Sequence, residues 1–140
     1  MPAPNRIFHF AFLICLLSIL PQCVEKESSE YVQQAIEYTD QEKYDEAMDS
    51  FLKAIKRDPR NSKAYFGLGG IYNFKNMHEK AVETFKTAVQ LDPTYYDAHY
   101  GLGYTYEVMG RKEEADEEYR RYRELKAKMD VFLKQEEKSR

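Results

Sequence analysis

The hydrophobic pattern changes character along this chain. Residues 7–20, "IFHFAFLICLLSIL", are apolar almost without a break. Further on, apolar positions recur every three or four residues, as in Ala81, Val82, Phe85, Ala88 and Val89. That spacing predicts helices that each bury one face. Asp58-Pro59 and Asp92-Pro93 interrupt the pattern. Proline lacks an amide hydrogen and pushes the residue before it out of helical geometry, so each pair ends a helix. Asn61 or Ser62 is then placed to cap the next one. The elements predicted are helices of about thirteen residues joined in pairs by short connections.

The pairs repeat. Pro59 and Pro93 stand 34 residues apart, and the same interval relates Ala47, Ala81 and Ala115. It also relates Phe51, Phe85 and Tyr119, and Tyr38, Tyr72 and Tyr106. "YFGLGGIY" at 65–72 returns as "HYGLGYTY" at 99–106. A fixed period of this size marks a stack of like units that bury their faces against each other. Small residues, Gly69 with Ala81 and Gly103 with Ala115, are expected where the two helices of one unit cross closely. No Gly or Pro occurs from Arg111 to Arg140, while Tyr119, Tyr122, Leu125, Met129 and Phe132 continue an apolar stripe. The last helix should therefore run on to about Lys134 or bend into a capping helix near Asp130. Two roles stay open for it, a solvated cap or a dimerising helix.

These residues resemble the tetratricopeptide repeat (TPR) family, in units 28–61, 62–95 and 96–129 with an extension at 130–140. The middle unit carries the resemblance through Tyr65, Leu68, Gly69, Tyr72, Ala81, Phe85, Ala88 and Pro93. The first unit departs from it at Gln34 and Ala35. The third departs at His99, at Tyr122 and in having no terminal Pro. The resemblance implies an all-α fold, a right-handed superhelix of three TPR helix hairpins (an α-solenoid) with a long C-terminal or capping helix. It also implies a concave groove lined by the first helix of each unit. Carried over by position, the groove residues are Val32, Ile36 and Thr39, then Lys63, Phe66, Gly70 and Asn73, then Asp97, Tyr100, Tyr104 and Glu107. Some members grip a C-terminal carboxylate with a Lys/Asn/Arg set. Only Lys63 and Asn73 echo it here, so carboxylate clamping is not expected. A groove floored by Phe66, Tyr100 and Tyr104, with Asp97 and Glu107 on its rim, implies a peptide ligand with apolar anchors and some basic character.

The apolar run at 7–20 follows Arg6 and precedes Glu25, Glu27 and Glu30. As a helix it would span roughly 21 Å, short of a ~30 Å hydrocarbon core, so it reads as the h-region of a signal peptide at 1–22. The flanking charges send the domain across the membrane. Leu20-Pro21-Gln22-Cys23 resembles a bacterial lipobox, although Pro21 and Gln22 are not the usual small residues. That resemblance implies acylation of Cys23, a short tether at 23–27, and a membrane-anchored lipoprotein at the outer membrane or periplasmic face. Ordinary secretion and an uncleaved single-pass anchor remain open as alternatives.

Composition changes this picture little. The net charge is −3 with acids and bases interleaved, and no basic patch suggests nucleic acid as a partner. Both cysteines, Cys15 and Cys23, precede the repeats, so no disulfide staples them. "GLGG" at 67–70 lacks the Lys-Ser/Thr of a phosphate loop and recurs in register with the repeat. His78 and His99 make no metal signature, and pairs such as Glu113-Glu114 read as solvated helix faces. No catalytic constellation, cofactor or metal is expected. The sequence thus points to a tethered protein that binds another protein or peptide as scaffold or assembly factor, and not to an enzyme. The runner-up is a structural protein self-assembling through its C-terminal helix, as in a homodimer.

Overall fold

A computed structural model describes residues 26–139. The expected signal peptide at 1–22, Cys23 and the first residues of the tether lie outside the described residues. Six helices follow in order: α1 (Ser28–Asp40), α2 (Tyr44–Arg57), α3 (Ser62–Phe74), α4 (His78–Leu91), α5 (Tyr96–Val108) and α6 (Lys112–Ser139). Consecutive helices pair as three antiparallel hairpins, and α1, α3 and α5 also touch in sequence, giving a right-handed α-solenoid.

The hairpins close alike because their turns share one backbone device. Glu42, Asn76 and Gly110, again 34 apart, adopt positive φ values of 58°, 56° and 74°. A left-handed residue there turns the chain so that the next amide reaches back over the helix end. Lys43, Met77 and Arg111 N–H donate to the carbonyls of Tyr38, Tyr72 and Tyr106 at 2.9, 2.8 and 2.8 Å. A cation also covers each of those tyrosine rings: Lys43 on Tyr38, Lys80 on Tyr72 and Arg111 on Tyr106. Between hairpins, Asp58 and Asp92 are extended, as a residue before proline must be. Asn61 caps α3 by accepting the Ala64 N–H at 3.1 Å. Its amide donates to Ser28 Oγ at 2.8 Å, and that hydroxyl donates to the Ala54 carbonyl at 2.9 Å. The cap of one hairpin thereby fastens the start of the previous one.

Two apolar clusters form the core, one around Phe51 and Leu68 and one around Phe85 and Leu102. The glycines let them form, by a contact one helical turn from the expected one. Ala81 is fully buried, but a Cβ on Gly69 would meet the Phe85 ring at 2.8 Å. A Cβ on Gly103 would meet the Tyr119 ring at 3.0 Å. Gly67 and Gly101 do the same between hairpins, seating Phe51 and Phe85.

Helix α6 runs unbroken through Asp130 to Ser139, so the bend considered there does not form. Arg120 and Arg121 pair with Glu117 and Glu124 one turn away along its surface. Of its 28 residues only Ala115 is buried, and every residue described after Leu125 is exposed.

Candidate functional site

Helices α1, α3 and α5 lie side by side and enclose a cleft of about 580 Å³. Its floor is apolar, formed where small residues lie over buried rings. The rings of Phe51 and Phe85 reach it beside Gly67 and Gly101. At Gly70 an added Cβ would meet nothing within 4 Å. Ile36, Thr39 and Asp40 form one wall, and Tyr100, Tyr104 and Val108 the other. Phe74 is 63% exposed, Tyr100 50% and Tyr104 47%, each facing this one concavity. Solvent-exposed rings gathered in a cleft mark a surface built to bury apolar groups of something else.

The residues expected from sequence do not all meet here. Ile36, Thr39, Phe66, Gly70, Asn73, Tyr100 and Tyr104 line the cleft, while Val32 is buried in the core. Lys63, Asp97 and Glu107 are exposed but outside it. The cleft lies toward the C-terminal ends of α1, α3 and α5, because stacked rings fill the other end. Phe66 packs on Tyr95 with centroids 5.0 Å apart, and Tyr122 packs on Tyr100 at 5.2 Å and Tyr96 at 6.1 Å. Lys63 and Asp97 belong to the first turns of α3 and α5, near that filled end.

Two of the polar residues are already engaged within the fold. Asn73 Nδ2 donates to Thr105 Oγ1 at 2.8 Å and its Oδ1 lies 3.3 Å from His78 Nδ1, so its side chain ties α3 to α5. Glu107 accepts the Tyr119 hydroxyl at 2.6 Å. Burial, with that carboxylate beside it, raises the Tyr119 phenol far above its ordinary range. Sequence reasoning missed Asp40, Phe74 and Val108 as lining residues. They share the interval of 34 but no residue type, and only that interval could have pointed to them.

Besides the hydroxyls of Tyr100 and Tyr104, the cleft's polar inventory is short: Thr39, Asp40, Asn73, Asn76 and His78. Among the described residues no group of three His, Cys, Asp or Glu could hold a metal ion, and no helix is long and apolar enough to cross a membrane. His99 is buried away from the cleft, with Nδ1 2.6 Å from Glu118 Oε2 and Nε2 3.3 Å from the Pro93 carbonyl. Both ring nitrogens thus have structural partners, Nδ1 tying α5 to α6 and Nε2 tying α5 to the connection that precedes it. What the arrangement offers is shape and apolar surface, with one carboxylate at the edge.

Comparison with known proteins places this geometry. A family model described as TPR repeat matches residues 35–73 and 71–110, and one described as tetratricopeptide repeat matches 96–128. MamA superposes with a TM-score of 0.70 at 23% identity over 75% of this chain and 61% of its own. The first TPR of Spaghetti (RPAP3), solved bound to the HSP90 peptide SRMEEVD, gives 0.69 at 27% over 71% and 79%. The Sgt2 TPR domain from Aspergillus fumigatus gives 0.69 at 25% over 71% and 66%. The chain therefore spans less than two thirds of the MamA chain. No curated protein matches this sequence.

Proposed function

This chain belongs to the tetratricopeptide repeat family, and from that premise we propose that it is a membrane-tethered, extracytoplasmic binding protein holding a peptide segment of another protein in its concave cleft. The observation that carries the reading is the exposure of Phe74, Tyr100 and Tyr104 within one apolar concavity. Tyrosine suits such a surface because it offers large rigid area and a hydroxyl at low entropic cost. Two neighbours, RPAP3 among them, were solved as TPR domains, and RPAP3 holds the peptide SRMEEVD, which ends in an aspartate. The present cleft has Asp40 in its wall, and its Asn73 is bound to Thr105. Its ligand is therefore apolar and basic, not an acidic C-terminus. Binding is the activity this reading assigns to the cleft.

The tether rests on the sequence: the apolar run at 7–20, and Cys23 just ahead of a repeat domain that opens at Ser28. Intact mass of the mature protein tests it. A chain beginning at Cys23 with added acyl mass supports a lipoprotein, and one retaining Met1 refutes cleavage. For the cleft, a displayed peptide library is selected on the wild type and on Tyr100→Ala/Tyr104→Ala. Peptides with aromatic or aliphatic anchors and net positive charge should enrich on the wild type alone. Equal enrichment on both proteins, or selection of acidic C-termini, would refute the assignment.

A further inference from the structure

The far half of α6 buries none of its side chains against its own chain. From Lys126 to Ser139 it is fourteen residues long, about 21 Å of helix, and wholly exposed. One face here is made for packing. Leu125, Met129 and Phe132 continue the stripe of Tyr122 at three–four spacing, and Phe132 is 55% exposed. Arg121, Lys126 and Lys128 flank that stripe, Arg121 paired with Glu117 and Lys126 donating to the Tyr122 hydroxyl, and Glu136 closes it.

Charge is distributed accordingly. Residues 120–139 carry seven Lys/Arg against four Asp/Glu, whereas residues 26–119 carry twelve against nineteen. The cleft has Asp40 in its wall, and Asp97 and Glu107 share the face of α5 that presents Tyr100 and Tyr104. The chain thus holds an apolar cleft in an acidic body and, projecting from that body, an apolar helix with basic flanks.

We infer that the cleft takes the C-terminal half of α6 from a second copy of this chain, so that copies join head to tail. The inference rests on the peptide-binding reading of the cleft and names its ligand. A copy cannot fill its own cleft, since α6 is one unbroken helix leading away from it. Cleft and tail are different surfaces, so the contact is heterologous and leaves one of each free to add further copies. Pairing of two tails is opposed by their own flanks, because Arg121, Lys126 and Lys128 would line both sides of the seam. An anionic lipid surface would also accept the basic flanks, but it would repel the acidic body of the same chain, which favours a protein partner.

The experiment uses the full chain in mild detergent, sedimented over a range of concentration and salt. A tail variant, Met129→Asp/Phe132→Asp, changes only exposed residues, and a cleft variant, Tyr104→Lys/Val108→Lys, changes half-exposed ones. Wild type should form species larger than a dimer, weakened at least tenfold by 0.5 M salt, a roughly 4 Å screening length. Each variant alone should be monomeric, and the two mixed should give a dimer and nothing larger, since one intact cleft meets one intact tail. A monomeric wild type overturns the inference. So does a cleft variant that still dimerises, which would indicate tail-to-tail pairing. Binding to phosphatidylglycerol vesicles that is lost in the tail variant, with a monomer in solution, assigns the tail to lipid instead. If self-association fails while the cleft still selects apolar, basic peptides, only this inference falls; if neither occurs, the cleft reading falls too.

Discussion

The ring of Phe85 lies against the backbone of Gly101 in the next hairpin, so close that a Cβ there would stand 2.7 Å from it. Gly69 presses the same ring from within its own hairpin, at 2.8 Å. The ring cannot retreat from one without entering the other. Gly101→Ala should therefore destabilise the protein by about 1–3 kcal/mol despite a gain in helix propensity. Gly103→Leu, driven into Tyr119, should cost a similar amount. Gly70→Ala meets open space in mid-helix and should stabilise by about 0.5–1 kcal/mol. Urea denaturation of the three variants checks the order, and equal midpoints would show that the glycines are not packing sites.

The three hairpin turns differ in how well their residue suits a left-handed backbone. Glu42, at φ 58°, bears a cost that Gly110, at φ 74°, does not. Glu42→Gly should raise stability by roughly 0.5–1 kcal/mol. Gly110→Ala, with nothing within 4 Å of the new methyl, should lower it by about 1 kcal/mol for conformational reasons alone. Thermal melts decide both signs.

His99 occupies the place that Tyr65 holds one unit earlier, and Glu118 is its partner at 2.6 Å. Glu118→Ala leaves a buried ring nitrogen without its acceptor and should cost about 1–3 kcal/mol. His99→Phe/Glu118→Ala together should cost less than the sum of the singles. Additive losses would mean that the two groups are not coupled.

Burial, reinforced by Asp97 and Asp92, pushes the Tyr95 phenol up to about 12. The unfolded chain releases that proton first, near pH 10, so between about 10 and 12 the folded state binds more protons. The stability it contributes is complete below pH 10 and is lost as pH rises through 12. Tyr119 is raised in the same sense by burial and Glu107. Melting temperature should fall from pH 10 upward, and Tyr95→Phe should flatten part of the fall. An identical slope in the variant would remove Tyr95 as a cause.

How much was legible in advance depends on what kind of fact is asked for. The helix hairpins follow from local signals: proline after aspartate, small residues and aromatics returning at 34, and one apolar face per helix. The cleft residues were legible only where position in the repeat sufficed, as for Ile36, Phe66, Tyr100 and Tyr104. Lys63 and Asp97 stand on equivalent positions yet lie outside, because ring stacking by Phe66, Tyr95, Tyr96 and Tyr122 fills their end of the groove; Glu107, at the open end, lies outside because it turns to the Tyr119 hydroxyl of α6. Phe74 and Val108 line the open end with no residue type in common to announce them.

By itself the sequence determined the all-α repeat architecture, its period, and a charge imbalance between the body and the tail. Those depend on residue type and spacing, which act along the chain. Tertiary structure alone decided which end of the groove is open, that Asn73 is held by Thr105, and that α6 projects unbroken with its stripe exposed. Each of these depends on which side chains from different hairpins reach the same space first, and spacing along one chain does not encode that competition.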